Sequence, residues 1–171
     1  MDRPLPNSYW VIPGRLLAGE YPSGVDFSDS RARLALLIGA GIDYVLDLTE
    51  EDELAAYSHL LPFRVKYVRH AIADHGIPSG AAQLQRLLSE IRAALASGRC
   101  VYVHCRAGIG RTGLVIGCFL AEEGGDGAAA LEQLNRLWPQ SERAKTWPKV
   151  PQTAEQTNYI LHWPKFGKRT P

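Results

Sequence analysis

The chain has 171 residues, of which 46% are hydrophobic, and its 19 basic and 18 acidic residues leave a formal net charge of +1. This length and composition suit one domain over residues 1–171, and the balanced charge gives no sign of a nucleic-acid or membrane partner. The three cysteines form neither a disulfide framework nor a metal-ligand spacing, and the N-terminus lacks the apolar core of a signal peptide. We therefore expect a cytoplasmic monomer that holds no metal ion.

The predicted elements alternate between strands and helices through the middle of the chain. Short apolar or alternating segments predict strands at 15–19, 43–48, 64–70 and 100–104. Capping residues and apolar stripes predict helices at 28–40, 79–98, 112–122, 127–138 and 153–162, with a short acidic helix or turn at 50–60. This order predicts an α/β fold with a central, mostly parallel sheet flanked by helices. In such sheets a ligand binds at the carboxyl ends of the strands, where Cys105 and the segment after His70 lie.

One segment carries most of the functional information. Residues 104–113 read His-Cys-Arg-Ala-Gly-Ile-Gly-Arg-Thr-Gly, between a predicted strand and a predicted helix. With Gly108 and Gly110, the loop between Cys105 and Arg111 can turn its backbone N–H groups inward as an anion nest. The following helix adds its positive N-terminal end, and the guanidinium of Arg111 offers a planar fork of donors for two phosphate oxygens. Because this positive field favours the thiolate form of Cys105, the pattern predicts a phosphate site with a nucleophile at its base.

The spacing of Cys105, five residues, Arg111 and then Thr112 resembles the signature of the cysteine-based protein tyrosine phosphatase superfamily. The Ala-Gly-Ile-Gly sequence in the loop is most similar to compact dual-specificity phosphatases and their bacterial and archaeal relatives. The resemblance implies a protein tyrosine phosphatase-like α/β fold with about four to five strands in the sheet. It also implies a cofactor-free enzyme that acts on a phosphorylated protein through a cysteinyl-phosphate intermediate. Phosphotyrosine is the expected substrate group, with phosphoserine and phosphothreonine as further candidates.

The general acid that this chemistry needs corresponds to Asp74. It lies 31 residues before Cys105, in an Asp-x-Gly-x-Pro pattern that resembles the acid loop of the superfamily. A full helix and strand separate the two residues, which returns both loops to the same edge of the sheet. The alternative is a turn aspartate that caps the helix beginning near Ser79. If Asp74 is not the acid, the next candidates are Asp47, Asp52 and Glu50.

The resemblance assigns supporting roles to further residues. His104 corresponds to the histidine that orients the loop, and Thr112 to the hydroxyl that donates a hydrogen bond to the departing sulfur. Gln152 corresponds to the glutamine that positions the attacking water, with Gln156 one turn later on the same helical face. The same glutamine segment is also a common helix start, with Thr153 as its cap. The expected phosphate-binding residues are Arg106, Ala107, Gly108, Ile109, Gly110 and Arg111.

A dinucleotide-binding site is an alternative interpretation of the same segment, because Gly108, Gly110 and Gly113 form a G-x-G-x-x-G pattern. That motif normally opens a strand-helix-strand unit, whereas a turn and another helix are predicted after the first helix here. The motif also gives no role to Cys105 or Arg111.

Two further functions belong to relatives of the same superfamily. Phosphoinositide phosphatases often carry lysines within the loop, where this chain has Ala107 and Ile109, so a highly charged inositol head group is a less suitable substrate. Phosphoprotein-binding domains without activity typically lose the cysteine, the acid or the arginine, and all three are present here. The distinction between enzyme and binding domain stays open on sequence alone and depends on measured turnover.

Overall fold

Five strands form one sheet whose parallel members end at a common edge. The computed structural model describes residues 2–167, with side chains through residue 163, so both ends of the predicted domain at 1–171 lie outside the described residues. The strands are β1 (Ser8–Ile12), β2 (Leu16–Gly19), β3 (Tyr44–Asp47), β4 (Lys66–Arg69) and β5 (Val101–His104). Their order in the sheet is β1-β2-β5-β3-β4, and β1 alone runs antiparallel to its neighbour.

Helices cover both faces of this sheet. They are α1 (Phe27–Gly39), α2 (Ala81–Ala96), α3 (Gly110–Gly124), α4 (Gly127–Leu137) and α5 (Ala154–Gly167), with 3-10 turns at Ser58–Leu60, Trp138–Gln140 and Glu142–Lys145. The apolar side chains of α1 pack on one face of the sheet, and those of α2 to α5 pack on the other. The predicted α/β fold, with a mostly parallel sheet of five strands between helices, is therefore confirmed.

Helix α3 lies at the centre of the larger layer, since every residue from Gly110 to Ala121 is buried. Its neighbour α5 approaches closely at Gly117, where a built Cβ atom would lie 2.3 Å from Cδ1 of Ile160. Any side chain at Gly117 would push the two helices apart. This close packing holds the first turn of α5 beside the first turn of α3, where the predicted site lies.

The register of the strands aligns their carboxyl ends. Gly19 and Asp47 both pair with His104, and Asp47 also pairs with Arg69. The loops that follow β2, β3, β4 and β5 consequently leave the sheet side by side. This is the arrangement in which α/β proteins bind ligands, and it brings the segment after His104 close to the segment after Arg69.

The structure differs from the predicted elements mainly at five places. Strand β1 is not among the predicted strands, α2 begins at Ala81 instead of 79, and α3 begins at Gly110 instead of 112. Helix α5 extends to Gly167 instead of 162, and the predicted acidic helix or turn at 50–60 has regular structure only at Ser58–Leu60. Within residues 2–167 no strand follows β5, so the second strand that a dinucleotide-binding unit requires is missing from that part of the chain. No described helix combines the length and the hydrophobicity needed to cross a bilayer.

Candidate active site

The segment between β5 and α3, residues 105–109, is called the cysteine loop below. Gly108 has a φ of +74°, and a Cβ atom built on it would lie 2.6 Å from the carbonyl carbon of Gly19. Only glycine combines this left-handed conformation with such close contact to another backbone segment. The amide of Tyr21 donates a hydrogen bond to the carbonyl of Arg106 at 3.1 Å, so the loop is fixed against the end of β2.

The cysteine loop presents backbone donors that the protein itself does not use. Among the described residues, no acceptor pairs with the amide N–H groups of residues 106–109. Residues 108 and 109 are nevertheless buried. Buried amides are almost always hydrogen-bonded in folded proteins, so a run of unpaired ones beside a helix N-terminus is suited to an anion.

The loop surrounds a cavity of about 280 Å³, called the active-site cavity below. Cys105 follows β5 directly and is 2% exposed. The cavity is lined by Asp74, His75, Cys105, Arg106, Ala107, Ile109, Gly110, Arg111 and Gln152. The structure thus brings the predicted nucleophile, arginine, acid and glutamine together, although they come from three separate segments of the chain.

The guanidinium of Arg111 is held by five acceptor oxygens, one of which is the carbonyl oxygen of Leu48, 3.5 Å from Nη1. Its two terminal nitrogens each donate to one carboxylate oxygen of Glu53 at 2.6 Å, and Nη1 also donates to the carbonyl of Ile72 at 3.1 Å. Nη2 lies 2.9 Å from Oδ1 of Asp74. The hydrogen bonds from Arg111 lower the pKa of Glu53. Within the described residues the Nε–H of Arg111 meets no protein acceptor, which leaves one edge of the fork for a phosphate oxygen.

Asp74 lies in the acid loop, defined here as residues 70–80 between β4 and α2. Its Oδ1 accepts a hydrogen bond from the amide of His75 at 3.0 Å and contacts Arg111, and its side chain is 42% exposed. His75 adopts a φ of +59°, and the imidazole lies 3.6 Å from Oδ2 of Asp74. The carboxylate therefore lines the active-site cavity, and the alternative in which Asp74 caps α2 is wrong, because the cap position of that helix is Gly80.

Asp47, the first alternative candidate for the general acid, is too deeply buried to transfer a proton to a ligand. It is fully buried below the loop, where it accepts hydrogen bonds from Thr49, Tyr67 and Arg69. Burial would raise the pKa of Asp47, but the adjacent imidazole of His104 and the hydrogen bonds from Thr49 and Tyr67 outweigh it, and the pKa is lowered. Asp47 therefore stays ionised at neutral pH as part of the support beneath the site.

His104 belongs to the same buried layer. Its Nε2 shares a hydrogen bond with the hydroxyl of Tyr57, and Nδ1 lies 3.4 Å from the carbonyl oxygen of Cys105. The ring stacks on Tyr102 with centroids 5.4 Å apart. Burial lowers the pKa of His104, against the opposing charge of Asp47, so the imidazole is neutral at neutral pH. His104 thus contacts the backbone of Cys105, and its role in orienting the loop stays a prediction.

The remaining predicted residues lie around the cavity in different ways. Thr112 is fully buried, and its hydroxyl donates to the carbonyl of Gly19 at 3.4 Å, so its donation to the sulfur stays a prediction. Gln152 lines the cavity, with its Oε1 3.1 Å from the position of a Cβ built on Gly110. Gln156 is fully buried behind it and does not line the cavity. Arg106 is exposed at the rim.

Glu53 is the principal functional residue that sequence reasoning missed. It lies in an irregular acidic segment, 58 residues before Arg111 in the chain. No local pattern distinguishes it from Glu50, Glu51 and Asp52. The sequence points to such a partner only through its chemistry. A buried arginine requires a carboxylate partner, and an acidic segment follows β3, the neighbour of β5 in the sheet.

No three histidine, cysteine, aspartate or glutamate side chains in the described part of the chain lie close enough to hold a metal ion.

The chain is similar to viral proteins that are named as tyrosine phosphatases. It is 32% identical over 117 residues to the tyrosine phosphatase 067L of Invertebrate iridescent virus 3, an alignment that covers 66% of this chain and 45% of the relative. A second viral relative, tyrosine phosphatase 197R of Invertebrate iridescent virus 6, is 24% identical over 97% of this chain and 56% of its own length. The chain therefore spans about half the length of these relatives.

The crystal structure of a mutant form of Tk-PTP superposes with a TM-score of 0.73 at 25% identity, covering 94% of this chain and 95% of that one. A family profile, the DSP-PTPase phosphatase domain of the Swiss Army Knife proteins (PTP-SAK), matches residues 5–158. That match covers most of the chain and includes the cysteine loop, the acid loop and the first turn of α5. The chain belongs to this family of dual-specificity and tyrosine phosphatase domains.

Proposed function

We propose that the chain hydrolyses phosphate monoesters through a cysteinyl-phosphate intermediate. The observation that carries this proposal is the active-site cavity, in which Cys105, Arg111, Asp74 and Gln152 converge on a loop with unpaired amides. Each of these groups has a defined part in the reaction, and no further cofactor is needed for the steps below. Membership of a phosphatase family supports the same reaction class.

In the first step the thiolate of Cys105 attacks the phosphorus atom in line with the ester oxygen. The sulfur–phosphorus bond forms while the phosphorus–oxygen bond breaks, and protonated Asp74 gives its proton to the departing oxygen. The equatorial oxygens develop charge, which the loop amides and the free edge of Arg111 stabilise. Glu53 holds the opposite edge of the guanidinium, so that the fork is already oriented before a substrate arrives.

In the second step water releases the phosphate. The carboxylate of Asp74 accepts a proton from a water molecule positioned by Gln152, and the oxygen of that water attacks phosphorus as the sulfur leaves. Thr112 lies in the first turn of α3, where its hydroxyl donates to the carbonyl of Gly19, and its proposed role is to donate to the departing thiolate instead. The cycle ends with Asp74 protonated again and Cys105 as a thiolate.

We propose a phosphorylated protein as the substrate, with phosphotyrosine as the first candidate. A second cavity of about 400 Å³ adjoins the active-site cavity, and Arg106 lines both. This neighbouring space offers room for the chain on one side of a phosphorylated residue. A reducing compartment such as the cytoplasm suits a thiolate enzyme, and we propose a monomer as the active form.

Turnover of a small aryl phosphate tests the proposed function most simply. The purified protein should hydrolyse para-nitrophenyl phosphate with the metal chelator EDTA present in excess, and a phosphotyrosine peptide should be a better substrate than its phosphoserine equivalent. A folded protein that binds a phosphopeptide but turns over neither substrate would instead be a binding domain. Activity that disappears with EDTA and returns with a divalent ion would contradict the proposed mechanism.

Replacing Asp74 with asparagine should slow aryl phosphate hydrolysis by about 10²-fold or more, the usual contribution of a general acid. The first step needs Asp74 protonated, so the wild-type rate should fall as the pH rises above its optimum. This alkaline decline should be absent in Asp74→Asn. The exposed neighbour Asp52 provides the matched control, since Asp52→Asn should leave both rate and pH profile unchanged. An unchanged profile in Asp74→Asn would assign the acid to another group.

A further inference from the structure

Gln156 connects the three segments that form the active site, although it does not line the active-site cavity. Its Nε2 donates to the carbonyl of Gly76 in the acid loop at 2.9 Å. Its Oε1 accepts from the amides of Gln152 and Thr153, each at 3.2 Å. Both atoms of this amide also lie 3.1 Å from the position of a Cβ built on Gly110, at the start of α3.

The orientation of the Gln156 amide is fixed by the start of α5. The hydroxyl of Thr153 accepts from the amide of Gln156 at 3.1 Å, while Oε1 of Gln156 reaches back to the amide of Thr153. This reciprocal pair is a capping box, which satisfies two helix donors at once. Because the oxygen is committed to the cap, the NH₂ group of the same side chain must point away from α5, toward Gly76.

The contact at Gly76 matters for Asp74, which lies two residues earlier. The acid loop turns at residues 73–76, where the amide of Gly76 donates to the carbonyl of Ala73 at 2.9 Å. Before this turn, the amide of Ile72 donates to the carbonyl of Leu48 at 3.1 Å and its carbonyl accepts from Arg111. After the turn, the side chain of Gln156 holds the carbonyl of Gly76. Asp74 is thus carried on a turn that is attached on both sides.

We propose that Gln156 is a positioning residue that holds the acid loop so that Asp74 faces the active-site cavity, an inference that rests on the proposed function and extends it. Since Gln152 donates its amide to the same side chain, Gln156 also ties the water-positioning segment to the acid. Loss of the Gly76 contact leaves Cys105 and Arg111 in place but releases the C-terminal side of the turn. The defect is then specific to proton transfer to and from Asp74.

The decisive substitution is Gln156→Glu, because glutamate is equally suited to the capping box but cannot donate to the carbonyl of Gly76. Its carboxylate would repel that carbonyl and displace the turn. Gln156→Met removes the same donor without adding charge, together with the acceptor of the Gln152 and Thr153 amides, and serves as the second variant. Thr153→Ala is the matched control, since it weakens the cap but leaves the Gly76 contact, and it therefore reports on the helix start alone.

The readout compares leaving groups. Phenyl phosphate releases a poor leaving group that needs a proton from Asp74, whereas dinitrophenyl phosphate releases a good one that needs little help. We expect Gln156→Glu and Gln156→Met to lower kcat/KM for phenyl phosphate by at least about 10-fold more than for dinitrophenyl phosphate. Thr153→Ala should keep the wild-type ratio of the two rates. In an Asp74→Asn background, Gln156→Glu should add little further loss, because the two residues act as a unit.

Equal losses on both substrates, no loss at all, or losses that add fully to those of Asp74→Asn would overturn the positioning role. So would failure of both Gln156 variants to fold, judged by thermal melting followed by circular dichroism, since Gln156 would then act only in folding. Failure of the proposed function has a different signature: the wild type would hydrolyse neither substrate. A wild type that hydrolyses both substrates, with variants that show no difference between them, would reject the role of Gln156 alone.

Discussion

Replacing Cys105 with serine should lower the turnover of an aryl phosphate by at least about 10⁴-fold, because a serine hydroxyl stays protonated here and is a poor nucleophile. The substitution exchanges sulfur for a smaller oxygen at a position that is 2% exposed, beside unpaired loop amides. The fold and the binding of a phosphotyrosine peptide should therefore survive. Steady-state kinetics, thermal melting and isothermal titration with the peptide measure these three properties.

Cys100 provides the matched control for that experiment. It is also a buried, free cysteine, but it precedes β5, whereas Cys105 follows that strand. Cys100→Ser should retain turnover close to that of the wild type. Substantial activity in Cys105→Ser, or an equal loss in both variants, would contradict the assignment of Cys105 as the nucleophile.

Replacing Arg111 with lysine should lower kcat/KM by at least about 10³-fold, since a single ammonium group replaces a planar fork at the developing charge. One edge of the guanidinium donates to Glu53, and the other edge faces the cavity. A single lysine ammonium group cannot make both sets of contacts in the same geometry. Because Arg111 is 1% exposed and Glu53 only 10%, the carboxylate would lose part of its pairing in a buried place. The free energy of unfolding should fall by about 1–3 kcal/mol.

Kinetics on para-nitrophenyl phosphate and denaturant unfolding measure both effects of Arg111→Lys. The control is Arg136→Lys, an equal change at an exposed arginine of α4 that pairs with Glu132 one turn away. That pair is solvated, so the control should change neither activity nor stability appreciably. An Arg111→Lys variant with wild-type kcat/KM would show that the guanidinium does not bind the transferred phosphoryl group.

The sequence was sufficient to predict the centre of the site because its parts are local. Strand β5, the cysteine loop and α3 follow one another within residues 101–124, so spacing alone places Cys105 and Arg111 around one turn. Asp74 could be predicted from topology, since parallel strands return their following loops to the same edge. Their chemical roles stay predictions until the variants are measured.

The contacts that escaped prediction join residues distant in the chain. Glu53 contacts Arg111 across 58 residues. It is one of four consecutive acidic residues at 50–53, and their sequence does not show which of them faces the arginine. The sequence places Gln156 beside Gln152, but the contact of Gln156 with Gly76 spans 80 residues and has no local signal. Strand β1 was overlooked, although an aromatic and β-branched run before Pro13-Gly14 is typical of a hairpin.

The most direct test of the account is to trap the phosphorylated cysteine. We would mix the protein with para-nitrophenyl phosphate, stop the reaction with acid within the first turnovers, and locate phosphate on peptides by mass spectrometry. Gln152→Ala should accumulate the adduct, because the water that releases it is no longer positioned. The account predicts phosphate on the peptide carrying Cys105, approaching one per molecule in that variant and absent from Cys105→Ser. Turnover without any adduct on Cys105, or with the adduct on another residue, would contradict the proposed mechanism.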